Sequence, residues 1–366
     1  MGERGKMQLV RISKRDDVTR AKANMIRFIA VLAALLASAL LILFMKRNPI
    51  EVYASLLKGA FGTPSKVRGT IVEAIPMIIT SLGIAVAFKM KFWNIGAEGQ
   101  IIMGAFAASY FGLNFPDMPM PLLLLIMAVA GIIGGGLWAL IPGFFKAYIG
   151  ANETLFTLML NYIAYKWVAY LQYGPWKDPD AKGFPLIKKF SRNGIIPEVL
   201  GVHAGWIVAV ILVVIMYIFM RYTKKGYEIS VIGESENTAR YAGMNVKWVI
   251  LSSVFISGAL CGLAGMIQVS GVNQRLTLEV AGGIGYTSII TTWLGRLSAP
   301  AIAIVSVLFA ALVQGGQYIQ AAFQIPKSAA QILQGMILFF VLGSEFFIQY
   351  KIYFTNTIKN KKKGDM

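Results

Sequence analysis

Three polar side chains stand close together in the stretch FWNIGAEGQIIMGAF, residues 92–106: Asn94, Glu98 and Gln100. Apolar runs of membrane-spanning character lie on both sides of it. A carboxylate and two amides are costly to place in hydrocarbon unless each finds a partner. Side chains of these types can bind a polar solute, couple an ion, or fasten backbone. Gly96 and Gly99 flank Glu98, and the stretch reads as the turn that opens a helix. There Glu98 and Gln100 can meet the free backbone N–H groups and the positive dipole end of that helix's own first turn.

The chain holds little else with which to build a reaction centre. No Walker A pattern, no His-Glu-x-x-His and no Gly-x-Ser-x-Gly occurs. The chain therefore reads as a non-enzyme, with no catalytic residues, and any ATP chemistry must come from another chain. The one histidine, His203, has no second His or Cys nearby in sequence, so no zinc site of that kind can be argued. The one cysteine, Cys261, lies in an apolar run, cannot form an internal disulfide, and reads as a small packing residue. Glu73, inside another apolar run, is a further intramembrane carboxylate.

Composition explains which elements must carry these residues. Of 366 residues 57% are hydrophobic and 14% charged, where a soluble domain averages roughly 25% charged. That deficit, with several runs long enough to cross ~30 Å of hydrocarbon, predicts an all-α, polytopic integral membrane protein. The net charge of +18 sits mostly in termini and loops. It is read as contact with anionic membrane lipid and as topology control rather than nucleic-acid binding.

Apolar length predicts about ten transmembrane helices, at residues 25–45, 69–88, 96–112, 121–149, 154–173, 206–219, 249–270, 286–294, 301–319 and 329–347. The one at 286–294 is short or re-entrant. Residues 48–62 are amphipathic and predicted to lie on the interface. In the fourth span, Gly131 and Gly135 are spaced for close helix contact. Ten crossings put both termini on one side, and the excess of Lys and Arg favours the cytoplasm, with nine or eleven crossings left open by the short segment. The chain then divides into a basic cytoplasmic segment (1–24), a transmembrane domain (25–348) and a basic cytoplasmic tail (349–366). The polar loop 174–205 is extracytoplasmic, and the polar segment 221–248 is cytoplasmic.

Within that cytoplasmic segment, GESENTARYAG predicts a short helix. Gly233 precedes it, Ser235 can cap it, and Gly243 can end it in a left-handed turn. A short helix between two spans is a rigid lever for a partner on the cytoplasmic face.

The order GESENTARYAGMNVKWV followed by LSSVFISGALCGLAGMIQ resembles the coupling-helix region of ABC importer permeases. FWNIGAEGQIIMGAF resembles a signature of the nucleoside and simple-sugar subset of the branched-chain amino acid/ribose/nucleoside permease family. NETLFTLMLNYIA (152–164) resembles another of that subset's stretches, and WLGRLSAP (293–300) is loosely similar to a family turn. The resemblance runs from about residue 25 to 347. Before LGRL, relatives tend to carry a Phe-Asp-Gly-Ile-Ala-Val-Ala-like stretch, and here YTSIITTW replaces it.

The resemblance implies the permease subunit of an ATP-binding-cassette importer in a bacterial inner membrane, moving a small polar solute, a nucleoside or simple sugar. Its implied partners are a cytoplasmic ATPase, which holds the ATP and magnesium, a second, related but different permease, and an extracytoplasmic substrate-binding protein. This chain itself would carry no cofactor and no metal. Residues 234–243 would be the lever. Glu234 and Arg240 would contact the ATPase, while Ala239 and Gly243 leave room for close docking. Asn94, Glu98, Gln100, Thr157, Asn161 and Trp293 are candidates for the pathway or gate. The alternative is a secondary transporter using Glu98 or Glu73 as its ion site.

Overall fold

The computed structural model describes residues 10–14 and 19–354. Along the chain come β1 (Val10–Lys14), α1 (Arg20–Phe44), α2 (Pro49–Phe61), α3 (Pro64–Lys89), α4 (Ala97–Asn114), α5 (Met120–Ile149) and α6 (Glu153–Tyr173). A small hairpin, β2 (Glu198–Val199) and β3 (Val202–His203), precedes α7 (Gly205–Tyr222). Then follow α8 (Lys224–Glu234), α9 (Glu236–Tyr241), α10 (Val246–Ile267), α11 (Ile284–Leu294), α12 (Ala299–Phe323), α13 (Lys327–Gln349) and β4 (Tyr350–Phe354). One π-helical turn, Gln268–Asn273, prolongs α10.

Seven of the described helices are long and apolar enough to cross a membrane: 21–44, 64–89, 120–149, 205–222, 246–273, 299–323 and 327–348. The segments expected as third, fifth and eighth spans are helical, as α4, α6 and α11, but fall outside that set. Physical reasons are plain. α4 opens on Glu98 and Gln100, α6 carries Glu153 and Lys166, and α11 has 11 residues.

The chain forms two compact units. In the first, residues 1–55 and 319–366, α1 packs against α13, and Arg27 pairs with Glu345 at 2.7 Å. β1 and β4 form an antiparallel ladder. The all-α expectation is narrowed there to a mostly helical chain, while most of the two basic termini expected, 1–9, 15–18 and 355–366, lies outside the described residues. VRISK and YKIYF are rich in β-branched and aromatic residues, which suit a strand.

The second unit, residues 56–318, is built around α10, which packs against α3, α4 and α5. α3 and α10 are largely buried in protein, while α7 leaves most of its surface open, as a lipid-facing helix would. The small-residue seam expected in the fourth span is real. A methyl group at Gly135 would run into the Gly258 carbonyl, so only glycine lets α5 and α10 approach this closely.

Candidate functional site

The polar stretch lies where α3 stops and α4 begins. Residues 90–96 are not helical. Asn94 is fully buried, and its amide pairs with that of Gln100 through two bonds of 3.0 Å. Asn94 Oδ1 also accepts from the Gly96 N–H at 3.0 Å, and Nδ2 donates to Ser257 Oγ at 3.1 Å. Ser257 sits well inside α10, which starts at Val246; at about 1.5 Å per residue, it lies some ~16 Å along the helix. Irregular backbone at such a position must be satisfied by protein, because lipid offers it nothing.

α6 supplies the rest of the clasp. Asn161 Oδ1 accepts from the Gly99 N–H at 2.8 Å, and Nδ2 donates to the Ile95 carbonyl at 3.0 Å and to Tyr286 Oη at 3.3 Å. Thr157 Oγ1 accepts from the Ile95 N–H at 3.3 Å. Asn152 caps α6, accepting from the N–H groups of Thr154 and Leu155.

Glu98 departs from expectation. Its two oxygens accept, at 2.8 Å each, from the N–H groups of Gly283 and Gly285, where α11 begins. The carboxylate therefore caps a neighbouring helix rather than its own. The reason is local: Glu98 sits in the first turn of α4, and the start of α11 brings free donors and a positive dipole end to it. Gln100, likewise, meets Asn94 and not the backbone of its own first turn.

α11 is laced to α3 by hydroxyls. Ser81 and Thr291 share a hydrogen bond of 2.6 Å, and Thr292 Oγ1 donates to the Ser81 carbonyl at 3.0 Å. So the hydroxyls of YTSIITTW hold the short helix in place. At its far end Trp293 stacks on Trp93, with centroids 5.6 Å apart and planes at 25°, and both rings touch Phe88. Residues 93–100 thus connect all six candidates, five by hydrogen bonds and Trp293 through Trp93. The sequence reading missed Trp93, although it lies inside the stretch that drew attention. Glu73 is met by Gln317 Nε2 at 3.1 Å.

The polar segment 221–248 holds two helices where one was expected. Thr223 caps α8, accepting from the Gly226 N–H at 3.1 Å, and Ser235 caps α9, accepting from the Thr238 N–H at 3.2 Å. Gly233 belongs to α8 and is buried against the Lys89 carbonyl; any side chain there would collide with it. Ala239 is fully buried in its own chain, so it cannot offer room to a docking partner, which corrects that expectation. The open face of α9 carries Glu236, Asn237, Arg240 and Tyr241, with Glu234 and Gly243 exposed at its two ends. Gly243 does adopt the left-handed turn, at φ 75°. Tyr241, 94% exposed, was not foreseen.

On the β2–β3 hairpin His203 is buried, and neither ring nitrogen has a partner among the described residues. Burial holds its imidazole below the ordinary value, against the opposing pull of the Glu198 carboxylate. Among the described residues no three His, Cys, Asp or Glu side chains gather to hold a metal.

The profile of the family described as "Branched-chain amino acid transport system / permease component" matches residues 67–342. The chain belongs to this permease family. The permease is 31% identical, over 95% of its length and 99% of the relative's, to the guanosine ABC transporter permease protein NupP of Bacillus subtilis. It is 29% identical, over 94% and 99%, to the nucleoside ABC transporter permease protein NupB of Lactococcus lactis. It is 31% identical, over 88% of each chain, to the glucose ABC transporter permease protein TsgB13 of Haloferax volcanii. The permease is accordingly a multi-pass cell-membrane protein and a transport subunit rather than an enzyme. Membership implies an ATPase partner and a substrate-binding protein.

Proposed function

We propose that the permease forms one half of the membrane channel of an ABC importer for a nucleoside or simple sugar. The observation that carries this reading is similarity along nearly the whole chain to permeases named for guanosine, nucleosides and glucose. The site geometry agrees with it. Glu98 is engaged by two backbone N–H groups, so no free carboxylate stands in the clasp as a proton or sodium site.

In this proposal the chain crosses the membrane ten times, with α4, α6 and the short α11 shielded by other helices and both termini in the cytoplasm. A second, related permease completes the channel. ATP and magnesium reside on the ATPase, which docks on the open face of α9. The basic loop 174–205 meets the substrate-binding protein. Closure of the ATPase pair moves α9 and α8. Gly233 presses on the Lys89 carbonyl, the turn after it leads into the clasp at residues 93–100, and the clasp grips the start of α11. A push at the cytoplasmic face thereby reaches a helix deep in the bundle.

Proteoliposomes containing both permeases, the ATPase and the binding protein test this. Uptake of labelled guanosine or glucose is expected only with ATP inside the ATPase compartment. Uptake without ATP that follows a proton gradient would overturn the importer.

A further inference from the structure

The pair Trp93–Trp293 has no part in the clasp's hydrogen bonding. The two residues are 43% and 38% exposed, although the residues that flank Trp93 and precede Trp293 are buried. Phe92 and Asn94 on one side are 3% and 0% exposed, and Thr291 and Thr292 on the other are both at 0%. Two large rings are therefore held open on a rigid base. Trp93 is anchored by the buried residues on either side of it. Trp293 is anchored by Thr292, which bonds to the Ser81 carbonyl. The indoles stack at 5.6 Å with planes 25° apart, and neither N–H has a hydrogen-bond partner among the described residues.

The helix that carries Trp293 is uncharged, while exposed Lys91 and Arg296 lie two residues before Trp93 and three after Trp293. Tyr286, Ile290 and Trp293 fall at i, i+4 and i+7 on α11, hence on one face, and the helix from Ile284 to Leu294 contains no charged residue. The start of α11 would otherwise be a natural seat for a substrate carboxylate. Glu98 already fills it. A flat, uncharged ring finds an aromatic shelf, two indole N–H donors and a tyrosine hydroxyl.

We infer that the exposed Trp93–Trp293 pair is a stacking shelf for the base of a nucleoside on its way through the permease. This rests on the importer reading and narrows its substrate class. Base-on-aromatic stacking contributes enough that loss of one ring weakens binding by roughly five- to a hundredfold. The rings are fixed beforehand, so little ordering is lost when a base docks.

The test uses the full complex in proteoliposomes, with guanosine and uridine as probes and ATPase co-purification as the check on assembly. Trp293→Ala is expected to lower guanosine uptake (kcat/KM) about tenfold. Uridine, with its smaller ring, should lose less. Trp293→Phe should return guanosine uptake to within about threefold of the unaltered complex, and Trp93→Ala should resemble Trp293→Ala. Guanosine uptake within twofold in both alanine variants would overturn the shelf. So would equal losses for both probes accompanied by loss of the ATPase, which would make the pair a contact between subunits. ATP-driven uptake of glucose but of neither nucleoside would overturn the shelf and leave the importer standing. Nucleoside uptake that needs no ATP would overturn the importer, while the ring-size order would still judge the shelf.

Discussion

Glu98 shows how a costly residue becomes a structural one. A carboxylate in a membrane bundle needs donors, and the first turn of α11 has donors that need an acceptor. Each solves the other's problem at 2.8 Å. Glu98→Gln keeps the size but turns an N–H group toward Gly283 or Gly285, leaving a donor unmet. That is expected to cost about 1–3 kcal/mol. It should lower the melting temperature of the purified complex and slow uptake; unchanged melting and uptake would remove the capping role. The polar cluster itself was visible in the sequence, as was the need to satisfy it at a helix start. Which helix was not, because the partners lie 185 and 187 residues away along the chain.

At the scale of elements, α8 and α9 form the piece proposed to face the ATPase. Ser235 and Gly243 were legible, since caps and left-handed turns are local chemistry. The direction in which α9 faces was not. A helix of six residues has too few positions for its periodicity to reveal an inner side, and packing turned Ala239 inward. A bare tyrosine ring, such as that of Tyr241 at the end of α9, is the kind of residue that anchors an interface. Tyr241→Ala is expected to weaken ATPase binding to the detergent-solubilised complex about tenfold or more, with expression and insertion preserved. Ala239→Trp should instead reduce expression, because the ring has no space inside the chain. Equal ATPase binding by Tyr241→Ala and the unaltered protein would place the docking face elsewhere.

For the molecule as a whole, the proposed ten crossings make a definite statement about sidedness. Cys261 is the only cysteine and is buried, so single introduced cysteines report cleanly. On that proposal a membrane-impermeant maleimide should label Asp180→Cys, in loop 174–205, in intact cells. Tyr241→Cys should react only after the membrane is opened. Labelling of both in intact cells would refute the topology.

The sequence by itself determined the membrane class, the order of the helices, several caps and the family resemblance. Run length, turn chemistry and motif order are properties of neighbouring residues, and they survive without a fold. Tertiary structure alone decided that Glu98 caps α11, that VRISK and YKIYF pair as strands, that Ala239 turns inward and that Trp93 lies on Trp293. Each of those facts joins groups far apart in the chain, or turns one face of a short element toward its neighbours. Donor satisfaction and close packing settle such choices only when the helices have come together.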